Sequence, residues 1–245
     1  MIKFVPLINF DINSLRHSFF ITGFQGFGLV GYLSTKHIVH ELRFKKIGFI
    51  KTKLMPEVTL YSKNTGLQYP FEVYAGTAGA HNVVVVVHHG TPVEKERTSY
   101  AEFLAKFAKR IEAREVILLG GLSQEQREDA GELYRWIPVN NTGIVFDDAR
   151  TLEDRHIIGP LALTLMFIQA YGLRGVVILP FTDPFRPDPK ASAVAVELVS
   201  RILGVKISVQ RLMEEAAIIE AIEAEREKIE RAMEEAERRS RLTYI

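Results

Sequence analysis

Five consecutive valines, Val83 to Val87, limit what this chain can fold into more than any other feature. β-Branched side chains favour the pleated backbone, and a run with no polar alternation leaves no face for water. Such a strand belongs in the middle of a sheet that is covered on both sides. The surrounding pattern agrees, because short β-rich runs alternate with helical ones. Ser18 to Thr22, Ile47 to Lys51, Glu115 to Leu119 and Gly175 to Leu179 read as strands. Residues 29–42 and 93–113 and the stretches opening at Gly159 and Asp188 read as helices. The second of these puts Tyr100, Leu104, Phe107, Ala108 and Ile111 on one face.

Val58 to Ser62 and Phe71 to Ala75, joined through Asn64-Thr65-Gly66, read as a hairpin or excursion. Residues 123–150 are expected to form loops and short strands, with apolar pieces at 134–137 and 144–146. Four prolines between Pro180 and Pro189 predict a stiff extended loop, after which Asp188 caps a helix that Gly204 closes. The expected fold class is α/β: a three-layer α/β/α sandwich around a mostly parallel sheet.

Charge divides the chain. Of 245 residues, 31 are basic and 30 acidic, but residues 208–245 hold 7 of the basic and 10 of the acidic ones. That segment is therefore −3 and residues 1–207 are +4. The reading is an α/β/α domain over 1–207 and a charged helix and tail over 208–245. No clustered basic stripe marks a nucleic-acid partner. No apolar run of about 18 residues and no secretory leader are present, so no membrane span and a cytoplasmic location are expected. With no cysteine, disulfides, thiolate metal sites and cysteine nucleophiles are excluded.

From Ser208 to Ser240 there is neither glycine nor proline. A helix of that length would extend about 50 Å at 1.5 Å per residue. A heptad places Leu212, Ile219, Arg226 and Met233 at one seam position and Glu215, Ile222, Ile229 and Ala236 at the other. Leu212, Ile219, Ile222, Ile229 and Met233 are thus the expected self-association residues. Isoleucine at both positions leans towards an oligomer larger than a dimer.

The search for chemistry begins at Gly26-Phe27-Gly28-Leu29-Val30-Gly31, which fits G-x-G-x-x-G between a strand and a helix. A dinucleotide site also needs an acidic residue about 20 positions on, at the end of the second strand. Lys45 to Lys51 offers none. The glycines are therefore read as allowing close strand–helix packing, and no cofactor is expected. His37 and His40, one helical turn apart, and the pair His88-His89 are metal-ligand types without a clear third ligand, so no metal is expected. Ser123 lacks a nucleophile elbow, and Asp147, Asp148 and Asp183 lack an identifiable catalytic partner. No catalytic residue is assigned, and the chain reads as a binding protein.

The block Gly23-Phe24-Gln25-Gly26-Phe27-Gly28-Leu29-Val30-Gly31 resembles the signature of the proteasome assembly chaperone family in its archaeal form. Gly120-Gly121, Gly159-Pro160-Leu161-Ala162-Leu163 and Asp188-Pro189-Lys190-Ala191 follow in matching order, so the resemblance covers about residues 15–205. It implies a fold similar to purine nucleoside phosphorylases and related hydrolases without their catalytic residues. Gly23, Gly26, Gly28 and Gly31 would then be structural, and proteasome α-subunits or the 20S particle would be partners.

The resemblance also directs attention to Leu242-Thr243-Tyr244-Ile245. Proteasome activators end in hydrophobic–tyrosine–any residue, whose terminal carboxylate docks between α-subunits. Tyr244 is in the penultimate position, while Thr243 departs from the pattern. The functional expectation is a non-catalytic, homo-oligomeric proteasome assembly chaperone or adaptor, with a paralogous chain as another partner. The alternative is a nucleoside- or nucleotide-acting enzyme on the phosphorylase-like fold.

Overall fold

The valine block lies inside an eight-residue strand at the centre of a nine-stranded sheet in the computed structural model, which describes residues 1–63, 66–222, 224, 225 and 228. The strands are β1 (Lys3–Pro6), β2 (Phe19–Gly23), β3 (Lys45–Lys51), β4 (Leu60–Ser62), β5 (Gly66–Gln68), β6 (Phe71–Ala78), β7 (His81–His88), β8 (Glu115–Leu119), β9 (Leu122–Ser123), β10 (Tyr134–Val139) and β11 (Gly175–Thr182). The helices are α1 (Val30–Glu41), α2 (Arg97–Arg110), α3 (Gly159–Ala170), α4 (Pro189–Leu203) and α5, over 210–222.

The sheet order is β1-β3-β6-β7-β2-β8-β11-β10, with β9 beside β11. Strands β7, β2, β8 and β11 run parallel. Their flanks, β1-β3-β6-β7 and β10-β11, are antiparallel. The sheet is therefore mixed rather than mostly parallel. Between β6 and β7 connection length is the reason: only Gly79, at φ +59°, and Ala80 separate them, and parallel neighbours need a crossover of about a dozen residues.

The valines divide by pleat. Val83, Val85 and Val87 join Ile38, Val196 and Val199 on the α1–α4 side. Val84 and Val86 join Tyr100, Leu104 and Phe107 on the α2–α3 side. Both faces of the sheet are thus covered by helices, and all five residues of the expected α2 face are buried.

Three segments differ from the sequence reading. β11 runs on through Pro180 to Thr182, where a loop was expected. Phe181 N–H donates to Leu133 O towards β10, so Pro180's absent N–H falls on the opposite side, in the gap between the end of β8 and the start of β9. The hairpin is β4 with β5, a separate two-stranded sheet, and Phe71 to Ala75 belongs to the main sheet instead. Ile144 to Phe146 forms no strand, because Phe146 is turned inward, edge-on to Tyr134 and Trp136.

The base of the charged segment is part of the body. Leu212 and Ala216 are buried, and Leu212 lies in the same cluster as Ile207 and the α4 face. His37 Nε2 is 2.6 Å from Ser208 O, and Arg211 reaches His40 at 3.2 Å. Among the described residues, no helix is long and apolar enough to cross a membrane. Leu212→Ala should therefore cost about 2–5 kcal/mol in urea denaturation, and Glu214→Ala, on the exposed side of the same helix, less than about 0.5 kcal/mol.

Candidate functional site at the carboxyl edge of the sheet

Where parallel strands end together, backbone groups and loop side chains converge, and ligands of open α/β sheets bind there. Here β2 ends at Gly23, β7 at His88, β8 at Leu119 and β11 at Thr182. The glycine block turns from β2 into α1 at this edge, with Gly28 at φ +60° and Leu29 at φ +52°.

The turn is packed tightly against backbone. A Cβ on Gly23 would lie 2.6 Å from Gly31 Cα, and one on Gly31 would lie 2.4 Å from Leu119 O. At Gly28 it would meet Thr182 Oγ1 at 2.1 Å, and at Gly121 it would meet Phe27 O at 2.4 Å. Only around Gly26, among the four glycines of the block singled out from sequence, is there open space. Asp188 joins the arrangement from α4: its N–H donates to Gly28 O at 2.8 Å, and its carboxylate accepts from Thr182 Oγ1 at 2.8 Å and from Ala191 N at 2.9 Å. Leu161 fills the notch at Gly120, 2.5 Å from where a Cβ would stand. Four sequence motifs spread over more than 160 residues therefore meet at one place.

Beside this turn the histidine pair is spent on structure. His88 is fully buried and stacks near Phe24, with ring centroids 4.2 Å apart. Its Nδ1–H donates to Gly23 O at 2.9 Å, and its Nε2 accepts from Tyr100 OH at 2.9 Å. Burial pushes its pKa down to about 3, so the ring is neutral and both nitrogens are occupied.

His89 faces Glu72, which is 1% exposed. Glu72 receives His89 Nε2 at 3.0 Å, Lys46 Nζ at 2.6 Å, Tyr69 N–H at 2.9 Å and the Tyr74 hydroxyl. Burial alone would raise its pKa, but the hydrogen bonds from His89, Lys46, Tyr74 and the Tyr69 amide outweigh that and hold it at about 2. Tyr32 OH is 3.3 Å from His89 Nδ1, and Gln25 donates to His89 O, which ties the network to the glycine turn. A carboxylate with four donors has little capacity left to act as a base. The sequence reading missed Glu72; its signal is a carboxylate at the inward register of a strand, with Tyr74 on the same face and Lys46 on the neighbouring strand.

The other candidates from sequence lie apart. His37 and His40 hold the start of α5, and among the described residues no three His, Asp or Glu gather as metal ligands. Ser123 Oγ accepts from Glu125 N–H. Asp148 accepts from Tyr134 and Arg201, and Asp183 from Phe185 N–H and Arg186. In α5, Leu212 is buried, Ile219 half-buried and Ile222 exposed. Ile229, Met233, Leu242, Thr243, Tyr244 and Ile245 lie outside the described residues.

Two outcomes follow. Gly31→Ala should cost about 1–3 kcal/mol because Leu119 O is backbone, while Gly26→Ala should leave stability unchanged or raise it by up to about 1 kcal/mol. Both His88 and Glu72 have folded pKa values below their unfolded ones, so each contributes stability above its unfolded pKa that is lost on acidification. His88 acts first: its contribution of about 5 kcal/mol should be lost progressively from pH 6.5 down to about pH 3, a loss that His88→Asn flattens. Between pH 4.5 and 2 Glu72 adds a loss of about 3 kcal/mol to that of His88, and this added part should vanish in Glu72→Gln. Urea titrations at each pH read both.

The whole molecule has known counterparts. It is similar in fold to Pyrococcus furiosus PbaA, an archaeal homologue of proteasome-assembly chaperone, with a TM-score of 0.75 and 23% identity over 100% of this chain and 99% of that one. Against P. furiosus PbaB, an archaeal proteasome activator, the TM-score is 0.74 at 22% identity, covering 92% of this chain and 98% of that one. An uncharacterized Methanocaldococcus jannaschii protein, MJ1210, is 24% identical over 95% of this chain and 92% of its own length. The PAC2 family pattern matches residues 20–227, a span that contains every motif meeting at the carboxyl edge, and the chain belongs to the PAC2 family.

Proposed function

We propose that this protein is a non-catalytic, homo-oligomeric chaperone or adaptor of the proteasome system, acting in the cytoplasm on the α-ring of the 20S particle. The observation that carries the reading is the likeness in fold to PbaA over the whole length of both chains, with PbaB nearly as similar. The site chemistry supports it, since the groups at the carboxyl edge are engaged with one another: His88 through both ring nitrogens, Glu72 through four donors. On this reading the body is a phosphorylase-like scaffold whose sheet edge serves packing. The helix begun by α5 continues through the charged segment and brings copies together through Ile222, Ile229 and Met233, while Leu212 anchors it to the body. Leu242, Thr243, Tyr244 and Ile245 form the docking tail, and oligomerisation multiplies a weak tail contact by roughly 10²–10⁴ in avidity where the spacing fits the ring.

Light scattering on the purified protein should give a mass above that of a dimer. In pull-downs, full-length protein should capture 20S particles, and a variant lacking Thr243 to Ile245 should lose at least tenfold in affinity. Absence of capture by the full-length chain would overturn the proteasome reading, and equal capture by both would overturn the tail mechanism.

A further inference from the structure

The +4 of the body is not spread over it. Residues 45–70 contain five lysines, Lys45, Lys46, Lys51, Lys53 and Lys63, against the single acid Glu57, a net of +4 that equals the whole excess of residues 1–207. Glu72 neutralises Lys46, while Lys51, Lys53 and Lys63 are exposed, and neither Lys53 nor Lys63 forms an ion pair among the described residues.

The same segment carries the β4–β5 arm. Leu54, Val58, Leu60, Tyr61 and Leu67 are between 45% and 73% exposed and make up five of the seventeen exposed large apolar side chains among the described residues. Tyr61 stands opposite Leu67 on one face of the hairpin, and Leu60 is on the other, so the arm is apolar and open on both sides. A two-stranded sheet without a covering layer is marginal in water. Lys46 Nζ to Leu67 O, at 2.9 Å, ties it to the body.

The opposite charge is just as concentrated. Residues 214–237 hold all ten acids of the charged segment against three basic residues, a net of −7. That sequence starts in α5, whose Ile218 and Ile222 are 59% and 64% exposed. The arm and the Glu220 end of α5 belong to the carboxyl edge of the sheet. The arm joins the end of β3 to the start of β6, and Glu220 pairs with Lys190 in the first turn of α4. Within one molecule the arm and the described part of α5 are kept apart. Leu212, Ala216 and the Lys190 pair hold α5 along α4, beside β11, and β11 is four strands from β6, about 19 Å at 4.8 Å per strand.

We infer that the basic, apolar β4–β5 arm of one copy receives the acidic C-terminal helix of a second copy. The contact is head-to-tail and uses two different surfaces of the same chain, the kind of interface that closes into a ring when the rotation per copy allows it. Lysines steer the acidic helix, and the exposed leucines and Tyr61 cover its isoleucines. The inference rests on the homo-oligomeric part of the proposed function and adds the surface that makes the oligomer.

Charge reversal on each side of the full-length chain tests it, with mass read by sedimentation and folding checked by circular dichroism and melting temperature. K53E/K63E and E223K/E227K should each raise the dissociation constant of the oligomer at least tenfold. A chain carrying all four changes should regain the wild-type mass, which loss of folding would not allow. An oligomer indifferent to both reversals would overturn the arm proposal and leave the homo-oligomer standing, whereas a monomeric wild type would remove both. Unchanged mass with a lowered melting temperature that the four-fold variant restores would show the helix docking on its own arm, against the proposal. Loss of 20S capture by K53E/K63E at unchanged mass would assign the arm to the proteasome instead.

Discussion

The contact on which this structure depends is between backbones. β2 and α1 approach so closely at Gly23 and Gly31 that neither position has room for a methyl group, and Gly31 sits equally close to the last carbonyl of β8. That approach fixes where α1 crosses the sheet, and Gly28 O then accepts from the amide of Asp188, which caps α4. Two helices on one face are thereby registered against three strands by a handful of atoms. The Gly120 notch does the same on the other face, where Leu161 brings in α3.

A packed turn changes what the carboxyl edge can do. The glycine pattern that elsewhere leaves space for a pyrophosphate is here filled by Thr182 at Gly28 and by Leu119 at Gly31, with open space only at Gly26. The adjoining polar groups close on each other as well. Glu72 is stabilised as a carboxylate by donors from two strands and two loops, and His88 is held neutral between Gly23 and Tyr100. Buried networks of this kind rigidify a core when fully satisfied and are costly when one member is removed. Exposed apolar side chains and unbalanced charge occur together further out, on the hairpin arm and along the described part of α5.

Much of this was legible in the residues themselves. Five valines could only be a central strand, the α2 face was readable from its spacing, and Asp188-Pro189 announced a capped helix that Gly204 ends in the left-handed conformation. Other features were hidden because their cause is not local. Pro180 enters a strand only because β8 stops short of it and β9 has not begun. The two-residue turn at Gly79 sets β6 antiparallel to β7. His37 and His40 looked like a ligand pair by helical spacing, and their partners, Ser208 and Arg211, are about 170 residues away. Leu212 has the heptad position of a first seam residue and is buried in the body, a competition between two apolar surfaces that periodicity alone does not resolve.

Whether the glycine turn is a packing element or a ligand site is read most directly by thermal denaturation with added nucleotides. A ligand present at 100 times its dissociation constant stabilises the folded state by about 2.7 kcal/mol. For a packing element the melting temperature should not change with millimolar NAD, NADP, purine nucleosides or phosphate. A saturable rise with any of them, abolished by Gly26→Val at the one open position of the turn, would contradict it.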